Sequence, residues 1–122
     1  MLYFLSLSLS LILIPVAMVF FGLLWRKSPP REINELYGYR TPRSKQSQEA
    51  WDFAHAYHAR VWLYSGLALL VLTAVALALL ANKENYLTYF MVIMAVQIAV
   101  MLGSLAPTEL ALKKRFGRKR DE

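Results

Sequence analysis

The sequence predicts an all-α membrane protein: three transmembrane helices, N-terminus outside and C-terminus inside, with a cytoplasmic loop and short helix between the first and second spans. Three observations predict it. The chain is 57% hydrophobic and only 18% charged over 122 residues, and its apolar residues are gathered into runs instead of recurring at amphipathic spacing. The runs 2–24, 61–81 and 86–106 contain no acidic or basic side chain. Each reaches the roughly 20 residues that a helix rising about 1.5 Å per residue needs to cross a hydrocarbon core of about 30 Å. Finally, Lys and Arg are concentrated in the loop 26–60 and the tail 108–122, with only Lys83 elsewhere. What joins the spans is too short for a separate soluble domain, so residues 1–122 read as one membrane domain.

The first run competes with a secretory signal peptide, which would carry positive charge before the apolar stretch and a small-residue cleavage site after it. Here Arg26 and Lys27 follow the run and no Ala-x-Ala pattern closes it, so a retained helix is expected. Pro15 lies mid-span, where it removes a backbone donor and favours a kink. A serine hydroxyl is the expected partner for the carbonyl so freed. Ser6, Ser8 and Ser10 alternate at strand spacing, but a lone strand leaves its backbone unsatisfied in lipid, so helix is preferred.

Before the second span, Ser44 or Ser47 can cap a helix, and neither Gly nor Pro interrupts the chain from there to Ser65. A cytoplasmic helix running directly into the membrane is expected. On such a helix Trp51, His55, His58 and Trp62 fall within an arc of about 60°, while Glu49, Asp52, Ala56 and Arg60 lie along another side. The histidines could serve a metal or a proton relay, with Asp52 one turn from His55. Alternatively the face is a set of aromatic interface anchors. Two histidines without a third or any cysteine make a poor ligand set, so neither metal nor cofactor is expected.

The four-residue connection Asn82–Asn85 forces the second and third spans to be antiparallel neighbours. In the third span Ala95, Ala99 and Gly103 form a small-residue stripe, expected to pack against the second span in preference to a homo-oligomer seam. Gln97, the most polar residue inside the spans, is expected to hydrogen-bond to another helix. Pro107 should mark the inner end of the third span, and Glu109 should pair with Lys113 at i+4 without a functional role.

Seven Lys or Arg lie between Arg26 and Arg60, and six (Lys113, Lys114, Arg115, Arg118, Lys119 and Arg120) lie in the tail. Thirteen against one places loop and tail in the cytoplasm. The net charge of +6 would suggest nucleic acid in a soluble protein. These cations instead sit beside membrane spans, so anionic lipid is the expected partner and nucleic acid is not.

The segment Asn34-Glu-Leu-Tyr-Gly-Tyr-Arg-Thr-Pro-Arg-Ser44 is the candidate site. Gly38 and Pro42 pin a turn from which Tyr37, Tyr39 and Arg40 project groups suited to recognition. Arg40 offers planar donors for a carboxylate, a phosphate or a row of helix carbonyls. It could equally be structural, pairing with Glu35, Glu49 or Asp52.

The pattern Asn34-x-x-x-Gly38-Tyr39-Arg40-Thr41-Pro42-x-Ser44, followed by Glu49-x-Trp51-x-x-Ala54-His55, resembles the signature of the SdpI family of small bacterial membrane proteins. That resemblance implies a multi-pass protein of the bacterial cytoplasmic (inner) membrane. It also implies immunity to a secreted membrane-active peptide toxin and, in the best-known relative, signalling through a cytoplasmic transcriptional repressor. The expected function is therefore non-enzymatic, with Asn34, Tyr39, Arg40, Trp51 and His55 carrying it and Arg40 docking over the inner helix ends. Two alternatives stay open: a small transporter or export subunit, drawn from Pro15 and Gln97, and an intramembrane metal-dependent hydrolase using Glu49, Asp52, His55 and His58.

Overall fold

The computed structural model describes residues 2–116. It contains α1 (Leu2–Lys27), α2 (Gln48–Leu80), α3 (Tyr86–Gly103) and α4 (Leu105–Phe116), with no strand among the described residues. Leu2–Lys27, Gln48–Leu80 and the stretch Tyr86–Phe116 are long and apolar enough to cross a membrane. The basic residues Arg118, Lys119 and Arg120 lie outside the described residues.

Ser47 starts α2. Its backbone is extended and its hydroxyl accepts from the Ala50 amide at 3.0 Å, satisfying one of the donors that a helix N-terminus leaves open. No breaker follows before Val61, so the juxtamembrane helix and the second span are one element of 33 residues. At about 1.5 Å per residue it outruns a hydrocarbon core of about 30 Å, and its charged first part, Gln48–Arg60, is the part that projects. Within it Glu49, Asp52 and Arg60 stay exposed, while Trp51, His55 and His58 are buried.

α1 and α2 cross closely because each brings a glycine to the contact. A Cβ on Gly22 would stand 2.8 Å from the Leu63 amide nitrogen, and one on Gly66 would stand 2.9 Å from Met18 Cβ. Close backbone approach matters in lipid, where helices gain from packing and not from burial as such.

α3 is oriented by Gln97. Pro15 has no N–H to give the carbonyl four residues earlier, that of Leu11. Gln97 Nε2 donates to that oxygen at 2.8 Å and to Thr73 Oγ1 at 2.9 Å, tying α1, α2 and α3 at one level. The expected serine partner is thus corrected: Ser8 and Ser10 bond back to Phe4 and Ser6 carbonyls of their own helix. The expected packing of Ala95, Ala99 and Gly103 against α2 is corrected too. Ala95 and Ala99 are exposed, and a Cβ on Gly103 would meet nothing within 4 Å. A buried amide left without partners costs more than an open small-residue face, so the face bearing Gln97 and Phe90 turns inward.

Two apolar clusters close the ends of the bundle. One gathers Leu11, Leu80 and Phe90 with Phe4 and Tyr86 near the 81–85 connection. The other gathers Trp25, Tyr39, Ala50, Ala54, Ala59 and Leu112. Leu112 belongs to α4, which alters the expected end of the third span. Pro107 does not stop the helix. α3 ends at Gly103, and Pro107 sits in the first turn of α4, where a missing N–H removes no intrahelical bond. The expected tail is therefore helical as far as Phe116, with Thr108 and Leu112 buried. Lys113, Lys114 and Arg115 sit exposed in its last turn, complementing the helix dipole there.

Candidate functional site

The loop from Lys27 to Ser47 is built from local turns and then fastened to the helix ends. Asn34 Oδ1 accepts from the Leu36 and Tyr37 amides at 2.8 Å each, and its Nδ2 donates to Glu32 carbonyl. The side chain therefore shapes a turn in place of a backbone partner. Ser44, fully buried, does the same further on: its single hydroxyl proton lies within reach of the Tyr39 and Thr41 carbonyls, and its oxygen accepts from the Thr41 amide at 2.9 Å. Thr41 Oγ1 in turn accepts from the Ser44 amide. Pro42 lies exposed in the tight turn between them.

Gly38 holds φ at +119°, and a Cβ there would stand 2.7 Å from His55 Nε2 and 3.2 Å from Trp51 Cη2. Both conformation and space require glycine. The turn delivers the Tyr39 amide to His55 Nε2 at 2.8 Å, while His55 Nδ1 lies 2.8 Å from the Trp51 carbonyl. A carbonyl can only accept, so Nδ1 carries the proton and Nε2 is the acceptor; the imidazole is neutral. Trp51 Nε1 donates to the Pro30 carbonyl at 2.7 Å, and its ring packs on His55. His55 and Trp51 thus hold both ends of the loop on α2.

Tyr39 extends the fastening to α4. Its side chain is buried, its ring lies 4.5 Å from the His58 ring, and its hydroxyl donates to Glu109 Oε2 at 2.6 Å. Burial, with the Glu109 carboxylate beside it, pushes the Tyr39 phenol well above its usual range, so it stays a donor. Arg43 meets the other carboxylate oxygen at 3.4 Å. His58 Nδ1 lies 2.7 Å from Thr108 Oγ1, a second tie between α2 and α4. Trp62 Nε1 donates to Ser104 Oγ at 2.7 Å, where α3 gives way to α4. Trp25 of α1 stacks on Trp62 and gives its indole N–H to Tyr37 Oη at 2.7 Å.

The structure therefore joins Asn34, Gly38, Tyr39, Thr41, Ser44, Trp51 and His55 into one latch, and leaves Arg40 out of it. Arg40 is exposed and 3.9 Å from Glu35, which is the structural pairing and not the docking over the helix ends, so the docking expectation is corrected. Arg43 is the loop arginine that reaches α4, through Glu109. Glu109 is the second correction: it bonds Tyr39 and Arg43. Thr108 and Glu109 lie in the stretch whose sequence reads as a basic tail, and the carboxylate of Glu109 ahead of the basic run 113–120 is the signal that could have found them. Both His55 nitrogens are occupied, which leaves that imidazole no lone pair or proton for acid–base chemistry. Among the described residues no three His, Cys, Asp or Glu side chains converge as metal ligands.

Residues 31–108, well over half of the chain, match the SdpI/YfhL protein family. The chain belongs to that family. The matched stretch runs from the loop to Thr108 and so contains all seven latch residues, while Trp25, Pro30 and Glu109, which contact the latch from outside, are not in it. The family member is similar to a Bacillus subtilis (strain 168) protein described as "Uncharacterized protein YfhL", 42% identical over 52 residues, 43% of this chain. Those residues are 47% of the Bacillus protein, so the chain spans less than half of that relative's length. No solved structure matches the chain.

Proposed function

We propose that this SdpI/YfhL-family protein is a non-enzymatic immunity and sensor protein of the bacterial inner membrane. It protects the cell from a secreted membrane-active peptide, with its N-terminus outside and its loop and α4 in the cytoplasm. The observation that carries this reading is the double engagement of Tyr39, whose amide bonds to α2 through His55 and whose hydroxyl bonds to α4 through Glu109. A peptide that enters among the spans and shifts α4 against α2 breaks that pair of bonds. The break frees Arg43 and Glu109 beside the exposed Lys113, Lys114 and Arg115, a changed surface for a cytoplasmic repressor to read.

The test is survival of a toxin-sensitive bacterium expressing the protein and challenged with a peptide of the sporulation-delaying type. Tyr39→Phe removes only the hydroxyl, a bond to a charged group of roughly 1.5–3 kcal/mol, and is expected to lower protection severalfold at equal protein level. Unchanged protection by both Tyr39→Phe and Glu109→Gln would sink the coupling.

A second reading, a small transporter or export subunit, draws on a cleft of about 200 Å³ between α2 and α3 lined by Thr73 and Gln97. Gln97 Oε1 is buried there without a hydrogen-bond partner. Flux of the peptide through proteoliposomes distinguishes the two.

A further inference from the structure

We propose that Arg26 and Arg60 form a binding site for the phosphodiester headgroup of a membrane phospholipid. The two residues line a cleft of about 300 Å³ together with Trp25, Pro29, Asp52 and Ala56. The cleft lies between the last turn of α1 and the projecting part of α2, outside the Tyr39 latch. Both arginines are exposed, and among the described residues the ion pairs are made by Arg40, Arg43 and Lys45 instead. Arg60 packs its guanidinium over the Tyr57 ring at 5.6 Å, an arrangement that orients the group without using up its N–H donors. Among the described residues neither guanidinium has a carboxylate within ion-pair distance, so an anion entering the cleft would meet two uncompensated cations.

Charge and geometry identify the anion. Two guanidinium groups and the Asp52 carboxylate leave one net positive charge, which a single phosphodiester cancels. The planar fork of arginine matches two phosphate oxygens at once. Asp52 Oδ1 accepts from Gln48 Nε2 at 2.9 Å, leaving its other oxygen for a hydroxyl or ammonium of the headgroup.

Depth identifies the source. The uncharged run of α1 ends at Leu24 and that of α2 begins at Val61, so Arg26 and Arg60 both flank the hydrocarbon at the level where phospholipid headgroups lie. One to two turns further into the spans, Leu23 on the Arg26 side of α1 and Tyr64 and Leu67 on the Arg60 side of α2 are exposed and give acyl chains a surface. A free phosphate would have no use for that surface. The site holds one lipid by its headgroup, unlike the diffuse attraction of the α4 cations, and it does not depend on the immunity reading.

The test is native mass spectrometry of the detergent-purified full chain titrated with phosphatidylglycerol, with diacylglycerol and with inorganic phosphate. Phosphatidylglycerol is expected to be retained at one copy. Arg26→Gln and Arg60→Gln should each lower retention roughly fivefold, while Lys83→Gln at the other end of the bundle leaves it unchanged. Diacylglycerol, which has the chains without the phosphodiester, should not be held. Circular dichroism checks that the variants are helical. The paired Arg→Lys substitutions keep the charge but lose the fork, and should fall between wild type and the paired Gln variant. Equal retention of phosphatidylglycerol by all three, or equal retention of diacylglycerol, overturns the site. Binding of inorganic phosphate as tight as that of the lipid overturns the assignment to a lipid.

Discussion

His55 sets the position of the loop because its two nitrogens face opposite demands. One must donate to a helix carbonyl and the other must accept an amide N–H, and only the neutral ring does both. Protonation would put a hydrogen on Nε2 against the Tyr39 N–H. Burial lowers the readiness of His55 to protonate, and it pulls His58 down to about 4 with the help of the neighbouring His55; both precede the apolar run that begins at Val61. In the unfolded chain each would titrate near 6.5, so the stability they confer is present above about pH 6.5. It is lost as the pH falls towards the folded values, because there the unfolded chain takes up protons that the fold refuses. The melting temperature in detergent is expected to fall between pH 6.5 and 4.5 by an amount worth on the order of 2 kcal/mol. His55→Asn should flatten the fall, since an amide oxygen accepts the Tyr39 N–H without titrating. An equally steep fall in that variant would separate His55 from the pH response. Sequence spacing placed Trp51, His55, His58 and Trp62 on one face, and that face is the buried one. Periodicity could not say that the glycine and tyrosine of the motif dock there, because a loop contact across 16 residues leaves no period.

The helices divide between what their own sequence dictates and what a neighbour dictates. A serine cap at 44 or 47 and the unbroken passage of α2 into the span were legible because a cap and the absence of Gly and Pro are local properties; the choice of Ser47 was not, because Ser44 is taken up by the loop turn. The facing of α3 was not, because its small-residue stripe and its amide compete for the interior and the winner depends on an acceptor in α1. Pro15 creates that acceptor. Gln97→Leu in the wild-type background strands the Leu11 carbonyl and the Thr73 hydroxyl, and is expected to cost about 1–3 kcal/mol. With Pro15→Ala the residue at 15 regains an N–H for Leu11, so the same Gln97→Leu change should cost less. A double-mutant cycle read by thermal unfolding in detergent measures the coupling. Additive costs would mean that the amide does not answer the proline. α4 was missed for a related reason: Pro107 reads as a stop signal, yet a proline in the first turn of a new helix is permitted, and only the break at Gly103 and Ser104 makes Pro107 a first-turn residue.

At the scale of the molecule, contacts sort the charged segments onto one end. Trp25 against His55 and Thr108 against His58 place the end of α1, the start of α2 and α4 together, and Phe4 against Tyr86 places the start of α1 beside the 81–85 connection. The loop and α4 cations therefore share one face, with Lys83 alone at the opposite end. Such an asymmetry orients a membrane protein with the crowded end in the cytoplasm, which would put the latch where a secreted peptide arrives last. The chain contains no cysteine, so single cysteines report topology without a background. In intact cells a membrane-impermeant maleimide is expected to label Lys83→Cys, and to label Arg40→Cys and Lys114→Cys only after permeabilisation; all three native side chains are exposed. The opposite pattern would put the motif outside and make it the first surface a peptide meets. The latch would then serve as a receptor, and the transmission of a shift in the spans to a cytoplasmic partner would fail.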